Sequence, residues 1–154
     1  MTDPQPVSAF YPADNAATIA HLNHLQAIIT RLAGNSAQCK TWCLAIVSAL
    51  FGFAGAARSD NTIAAAAIIP IVIFCLVDAA YLGREKAYRD LYNAVVSDIH
   101  NGAYRLSGCF NVTPPEGGGH FGKALCSWSV LPVYLSLVVL YVIYWAARAY
   151  GLLK

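Results

Sequence analysis

Polar and apolar positions alternate along this chain in blocks. Thr41 to Ala57 and Ala124 to Ala147 carry no Asp, Glu, Lys or Arg, and Asn61 to Gly83 carries only Asp78. Crossing a bilayer as a helix takes about 20 mostly apolar residues, so the three stretches predict three transmembrane helices. The first is the shortest. Cys39, Lys40 and Arg58 extend it, because long basic side chains reach back toward water. The third is apolar on every face, so a soluble protein of this size could not cover it.

Outside these blocks the period changes. Over residues 15–38, Leu22, Leu25, Ile29, Leu32, Ser36 and Cys39 recur at intervals of three and four, predicting an amphipathic helix that leads directly into the first span. Asp14 is a suitable N-cap, and Gly34 is a weak point. After the second span, Tyr88, Leu91, Tyr92, Val95 and Ile99 share one face, while Arg84, Glu85, Lys86, Arg89 and Asp90 lie elsewhere, so the helix is expected to run on past Gly83. Neither amphipathic helix is stable alone in water. They are expected to pack together, or between subunits, as a cytoplasmic stub. Asn111 to Gly119, with Pro114, Pro115 and three consecutive glycines, cannot be regular helix and reads as a linker. Its Asn111-Val112-Thr113 triplet recurs by chance too often to argue for glycosylation, and the glycines lack the Lys-Ser/Thr ending of a phosphate loop.

The fold class expected is therefore all-α, a single membrane domain over residues 1–154. It comprises a cytoplasmic helix at 15–38, spans at 41–57, 61–83 and 124–147, and a cytoplasmic helix with a Gly/Pro-rich linker at 84–123. The connection Arg58-Ser59-Asp60-Asn61 is so short that the first two spans should form a tight antiparallel hairpin. Ser48, Gly52 and Ala56, spaced by four, offer a small-residue face for helix packing against Ala64 to Ala67. Pro70 and Pro132 are expected to kink the second and third spans.

Composition agrees. Hydrophobic residues make up 58% of the chain and charged residues 12%, against about 25% charged in soluble domains. The net charge of +2 is too scattered for a nucleic-acid-binding face. Distribution says more: Arg31, Lys40, Arg84, Lys86, Arg89, Arg105 and Lys123 would share one side of the membrane, and Arg58, Arg148 and Lys154 the other. Excess basic residues mark the cytoplasmic side, so the N-terminus is expected inside and the C-terminus outside. The polar first 38 residues, with Pro4, Pro6 and Pro12, do not read as a cleavable signal, leaving the first span to direct insertion. Trp42, Tyr81, Tyr144, Trp145 and Tyr150 fall near span ends, where amphipathic rings prefer the headgroup layer.

Asp78 is the most informative residue. A carboxylate inside a span is usually paired, protonated or functional; Lys40, Arg84 or a tyrosine hydroxyl could satisfy it, or it could serve a proton or ion path. His21, His24, His100 and His120 lack metal-ligand spacing, and the five cysteines include no Cys-x-x-Cys. Neither a metal nor another cofactor is expected. No nucleophile, base or paired-carboxylate arrangement can be argued, so the chain is not expected to be an enzyme.

Leu76-Val77-Asp78-Ala79-Ala80-Tyr81-Leu82, followed by Glu85, Tyr88-Arg89 and Leu91-Tyr92, resembles the span-to-helix junction of small bacterial multi-pass membrane proteins. Some of these look like transmembrane effectors of antiphage defence systems. The match covers about a ninth of the chain, has Ala80 where a second aromatic is common, and lacks an attached ligand-binding domain. The resemblance implies an inner-membrane location and puts function at Asp78, Tyr81, Glu85, Tyr88, Arg89 and Tyr92. By spacing, Asp78, Tyr81, Glu85, Tyr88 and Tyr92 share one helix face, a polar-aromatic ridge at the membrane exit suited to locking helices or subunits.

Two functions follow as expectations. One is a homo-oligomeric effector that perturbs or permeabilises the membrane when triggered by a cytoplasmic partner protein or signal ligand. The other is a non-conducting scaffold or accessory subunit anchoring a soluble partner through its cytoplasmic helices. A small transporter fits less well, since three spans offer no inverted repeat.

Overall fold

In the computed structural model, residues 15–56, 61–105, 110–114 and 120–151 are described, and every regular element among them is a helix. Helix α1, Ala16–Ala56, runs unbroken for 41 residues, about 60 Å at 1.5 Å of rise per residue. Asn15 caps it, its Oδ1 accepting from the Ala17 amide at 2.9 Å; Asp14 lies outside the described residues. Gly34 does not interrupt it.

The next helix is in two parts, α2 at Asn61–Ala66 and α3 at Ile68–His100. The break falls at Ala67, whose amide bonds the Ala64 carbonyl at 3.2 Å. Pro70 explains it from three residues away: it has no N–H to offer the Ala66 carbonyl, and its ring crowds that carbonyl. As expected, α3 continues past Gly83. It ends in a Schellman motif, with Gly102 at φ 64° and amide bonds from Gly102 to Ile99 (3.1 Å) and Ala103 to Asp98 (2.8 Å), which turns Tyr104 back onto the helices.

The third apolar block departs from expectation. Its first residues complete a short helix α4, His120–Leu125, and a turn; α5 begins only at Leu131 and ends at Ala149. Pro132 sits in the first turn of α5, where a missing N–H costs nothing and the fixed φ favours helix initiation. It starts the helix rather than kinking it.

Three helical stretches, Ala16–Gly55, Thr62–His100 and Leu131–Ala149, are long and apolar enough to cross a membrane. The first two are about twice as long as a 30 Å hydrocarbon core requires, so they also supply the stub. One seam runs the whole of α1: His21, Leu25, Ile29, Leu32, Ser36, Cys39, Cys43, Val47 and Ala54 are all buried. Leu25 meets Val95, Lys40 meets Asp78 and Cys43 meets Pro70, so α1 and α3 run in opposite directions. Tyr134 reaching Phe74 and Tyr141 reaching Ala65 set α5 antiparallel to α3.

The expected small-residue packing face is not the one used. Ser48 and Gly52 are exposed, and a Cβ on Gly52 would meet nothing within 4 Å; the side chain of Ala56 lies outside the described residues. Cys43 and Val47 pack inward instead, because the seam entering from the stub fixes the rotation of a continuous helix. At the far end Phe51 of α1 packs on Tyr144 at 4.9 Å, with Tyr141 and Trp145 beside them. Tyr141 and Tyr144 thus join α5 to α1, Trp145 packs on both within α5, and Tyr150 is exposed.

Candidate functional site

Ser36 and Lys40, one turn apart on α1, point at the same place on α3. Asp78 is there, completely buried. Lys40 Nζ lies 2.7 Å from Asp78 Oδ2, and Ser36 Oγ donates to Asp78 Oδ1 at 2.5 Å. The ammonium also donates to Ser36 Oγ at 3.0 Å, closing a three-membered polar cluster. Tyr134 of α5 approaches from the third side: its hydroxyl donates to the Phe74 carbonyl at 3.2 Å and lies beside the Asp78 carboxylate. Phe74 and Asp78 are one turn apart, so a single hydroxyl can address both. All three long helices therefore converge on this carboxylate. A charge taken out of water needs its charge and its remaining lone pairs answered: Lys40 answers the charge and Ser36 bonds Oδ1, while Oδ2 has the ion pair but no hydrogen bond.

The rest of the predicted ridge is buried or half-buried in the chain itself. Glu85 is buried, with Arg89 Nε 2.7 Å from its Oε1; the Arg89 side chain is 59% exposed, so the pair is anchored from one side only. Tyr88 and Tyr92 pack on the Leu25, Val95 and Tyr104 cluster, and Tyr81 is half-buried. The structure thus packs Tyr88 and Tyr92 against other helices of the same chain. The reason is the length of α1, which runs far enough to cover α3 beyond the spans.

Between these two pairs α3 has Gly83. A Cβ there would sit 3.4 Å from the backbone of His120 and Phe121, so α4 lies directly on α3 at this point. His120 Nε2 is 3.6 Å from Asp90 Oδ2.

A second polar cluster holds the stub, and sequence spacing did not reveal it. His21 is fully buried; its Nδ1 pairs with the Tyr104 hydroxyl at 2.6 Å and its Nε2 with the Asn111 carbonyl at 3.1 Å. With Nε2 protonated, Nε2 donates to the carbonyl and Nδ1 accepts from the phenol. His21 therefore pins both ends of the segment returning from α3. Phe110, at φ 63°, adopts a left-handed conformation that is costly for a bulky residue, and Asn111 follows it onto His21. The Asn111 side chain accepts from the Thr113 amide at 3.1 Å, an Asx turn. His24, three residues on, is exposed, so the two histidines do not share a site.

Of the cysteines, Cys39 and Cys43 are buried, Cys75 is partly buried and Cys126 is exposed, all four as free thiols; Cys109 lies outside the described residues. Ser36 and Tyr134 are the site residues that spacing missed. The signal for Ser36 was a lone hydroxyl in an otherwise apolar seam, and Tyr134 had none. No family model, no curated protein and no solved structure matches the chain.

Proposed function

We propose that this chain is a homo-oligomeric inner-membrane effector that perturbs or permeabilises the bilayer when a cytoplasmic partner or ligand acts on its stub, in keeping with the resemblance at residues 76–92 to small bacterial multi-pass membrane proteins, some of which look like antiphage effectors. One observation carries the reading. α1 and α3 each run unbroken from residues expected in the stub into residues expected in the spans, and the buried Ser36–Lys40–Asp78 cluster joins the two helices between those parts. A displacement in the stub would thereby reach the apolar segments as rotation or separation of stiff rods, and it would have to keep Asp78 paired or give it a new partner, since a stranded buried carboxylate is costly.

In this reading α1 and α2–α3 form the membrane hairpin, with the N-terminus cytoplasmic and the C-terminus outside. The interior of one chain around Cys43, Val47, Ile71 and Leu137 is apolar and closed, so an aqueous path would run between copies. The exposed Ser48 and Gly52 allow close approach of a second α1.

Controlled expression with a potential-sensitive dye, alone and beside the genomic neighbours, tests this. Depolarisation that Gly52→Leu abolishes supports it. Full retention of membrane potential while cells arrest or resist phage overturns permeabilisation and leaves the non-conducting scaffold. A C-terminal reporter active only in the cytoplasm, if functional after Lys154, overturns the topology.

A further inference from the structure

Beneath the turn joining α4 to α5 a groove of about 330 Å³ opens sideways between α3 and α5. Its walls are apolar: Ile71, Val72 and Leu76 on α3, Leu131 and Leu135 on α5, with Leu125 at the roof. The polar atom of Tyr134, which also lines it, is turned away to the Phe74 carbonyl. α5 buries few side chains of its own, Tyr134 and Leu137 among those described, and meets α3 far less extensively than α1 does. Its α3 and α5 walls lie in helices long and apolar enough to cross a membrane.

Above it the chemistry changes. Lys123 on α4 and Arg84 on α3 are both exposed, and the close contact of α4 with Gly83 puts the two helices together at this corner. Trp128, 91% exposed, stands on the connecting turn, and indole rings prefer the headgroup layer. The facing acid, Asp90, is turned to His120. An apolar slot below with two cations and an indole above has the order of a phospholipid: acyl chain, interface, phosphate.

We propose that the α3/α5 groove holds an acyl chain of an anionic phospholipid whose phosphate lies at Arg84 and Lys123, and that this lipid cements α5 to α3. Closing a slot with a chain restores the dispersion contacts that the empty walls lack, and the two cations select the headgroup. The proposal rests on membrane placement alone, so it stands or falls separately from the effector reading.

The test uses the full chain in dodecyl maltoside, with native mass spectrometry and thermal unfolding. Dioleoyl phosphatidylglycerol should leave one retained lipid per chain and raise Tm by several degrees, with a smaller rise for the phosphatidylcholine analogue and none for inorganic phosphate. Val72→Trp and Leu76→Trp, at outward walls of the groove that tolerate bulk, should abolish the lipid-dependent rise. Leu140→Trp, on an exposed part of α5 outside the groove, should keep it. Arg84→Gln with Lys123→Gln should equalise the two lipids. An undiminished rise in both groove variants, or an equal loss in Leu140→Trp, overturns the site. Equal stabilisation of the wild type by both lipids overturns the headgroup assignment, and a rise with phosphate alone overturns the lipid.

Discussion

Removing either partner of the Lys40–Asp78 pair should have unequal consequences, because the two ends are unequally buried. The side chain of Asp78 is 0% exposed and that of Lys40 is 20% exposed. Lys40→Met leaves a sealed carboxylate with Ser36 and the Tyr134 hydroxyl as its neighbours. Stranding one member of a buried ion pair costs about 3–5 kcal/mol. Asp78→Asn keeps an acceptor for Ser36 and frees an ammonium on a flexible stem that can reach headgroups and water, so the loss is that of a charge-assisted hydrogen bond, about 1.5–3 kcal/mol. Replacing both, Lys40→Met with Asp78→Leu, removes the charges together and should lie within about 1 kcal/mol of wild type or above it, since apolar substitutes for buried pairs are often neutral or stabilising. The assay is reversible unfolding in mixed micelles, with Asp78→Leu alone added so that wild type, Lys40→Met, Asp78→Leu and the double variant close one double-mutant cycle. Asp78→Asn more destabilising than Lys40→Met, or a coupling below about 0.5 kcal/mol, would refute the reasoning that the sealed carboxylate is what the pair exists to satisfy.

Tyr134→Phe removes one interhelical hydrogen bond and should cost about 0.6 kcal/mol and no more than about 1.7, the range for such bonds between membrane helices, measured in the same unfolding assay. Gly34→Ala, at an exposed site with open space around it, should stabilise by about 0.5–1 kcal/mol through helix propensity. Gly83→Ala, whose methyl would make ordinary van der Waals contact with the α4 backbone at 3.4 Å, should be tolerated, whereas Gly83→Leu should detach α4, read as new protease sensitivity near residue 120. Tyr104→Phe leaves His21 Nδ1 without its 2.6 Å partner; a buried group so deprived costs about 1–3 kcal/mol, and amide exchange at residues 103–105 and 110–112 should accelerate while that of α5 stays unchanged.

The charge-free blocks and the span count were legible in the amino-acid order because a charge in hydrocarbon is expensive anywhere along a span, so its absence needs no tertiary information. The stub seam was legible for a related reason: Leu25, Ile29 and Leu32 stand among polar neighbours, and that contrast fixes which face turns inward. Inside the spans the contrast vanishes. Where every position of α1 from Thr41 to Ala56 is apolar or small, the sequence carries a period without a phase, and Ser48 with Gly52 was as plausible a packing face as Cys43 with Val47. Tertiary structure settled this through the rigidity of one unbroken helix, whose rotation is set by its stub end. It also decided what no local pattern holds: that Ser36 and Lys40 meet Asp78 some forty residues away, that Tyr134 completes the cluster from α5, and that His21 pins a segment arriving from beyond Gly102. Asp78 was marked in the sequence as a charge needing an answer, and only the folding of three helices onto it supplied one.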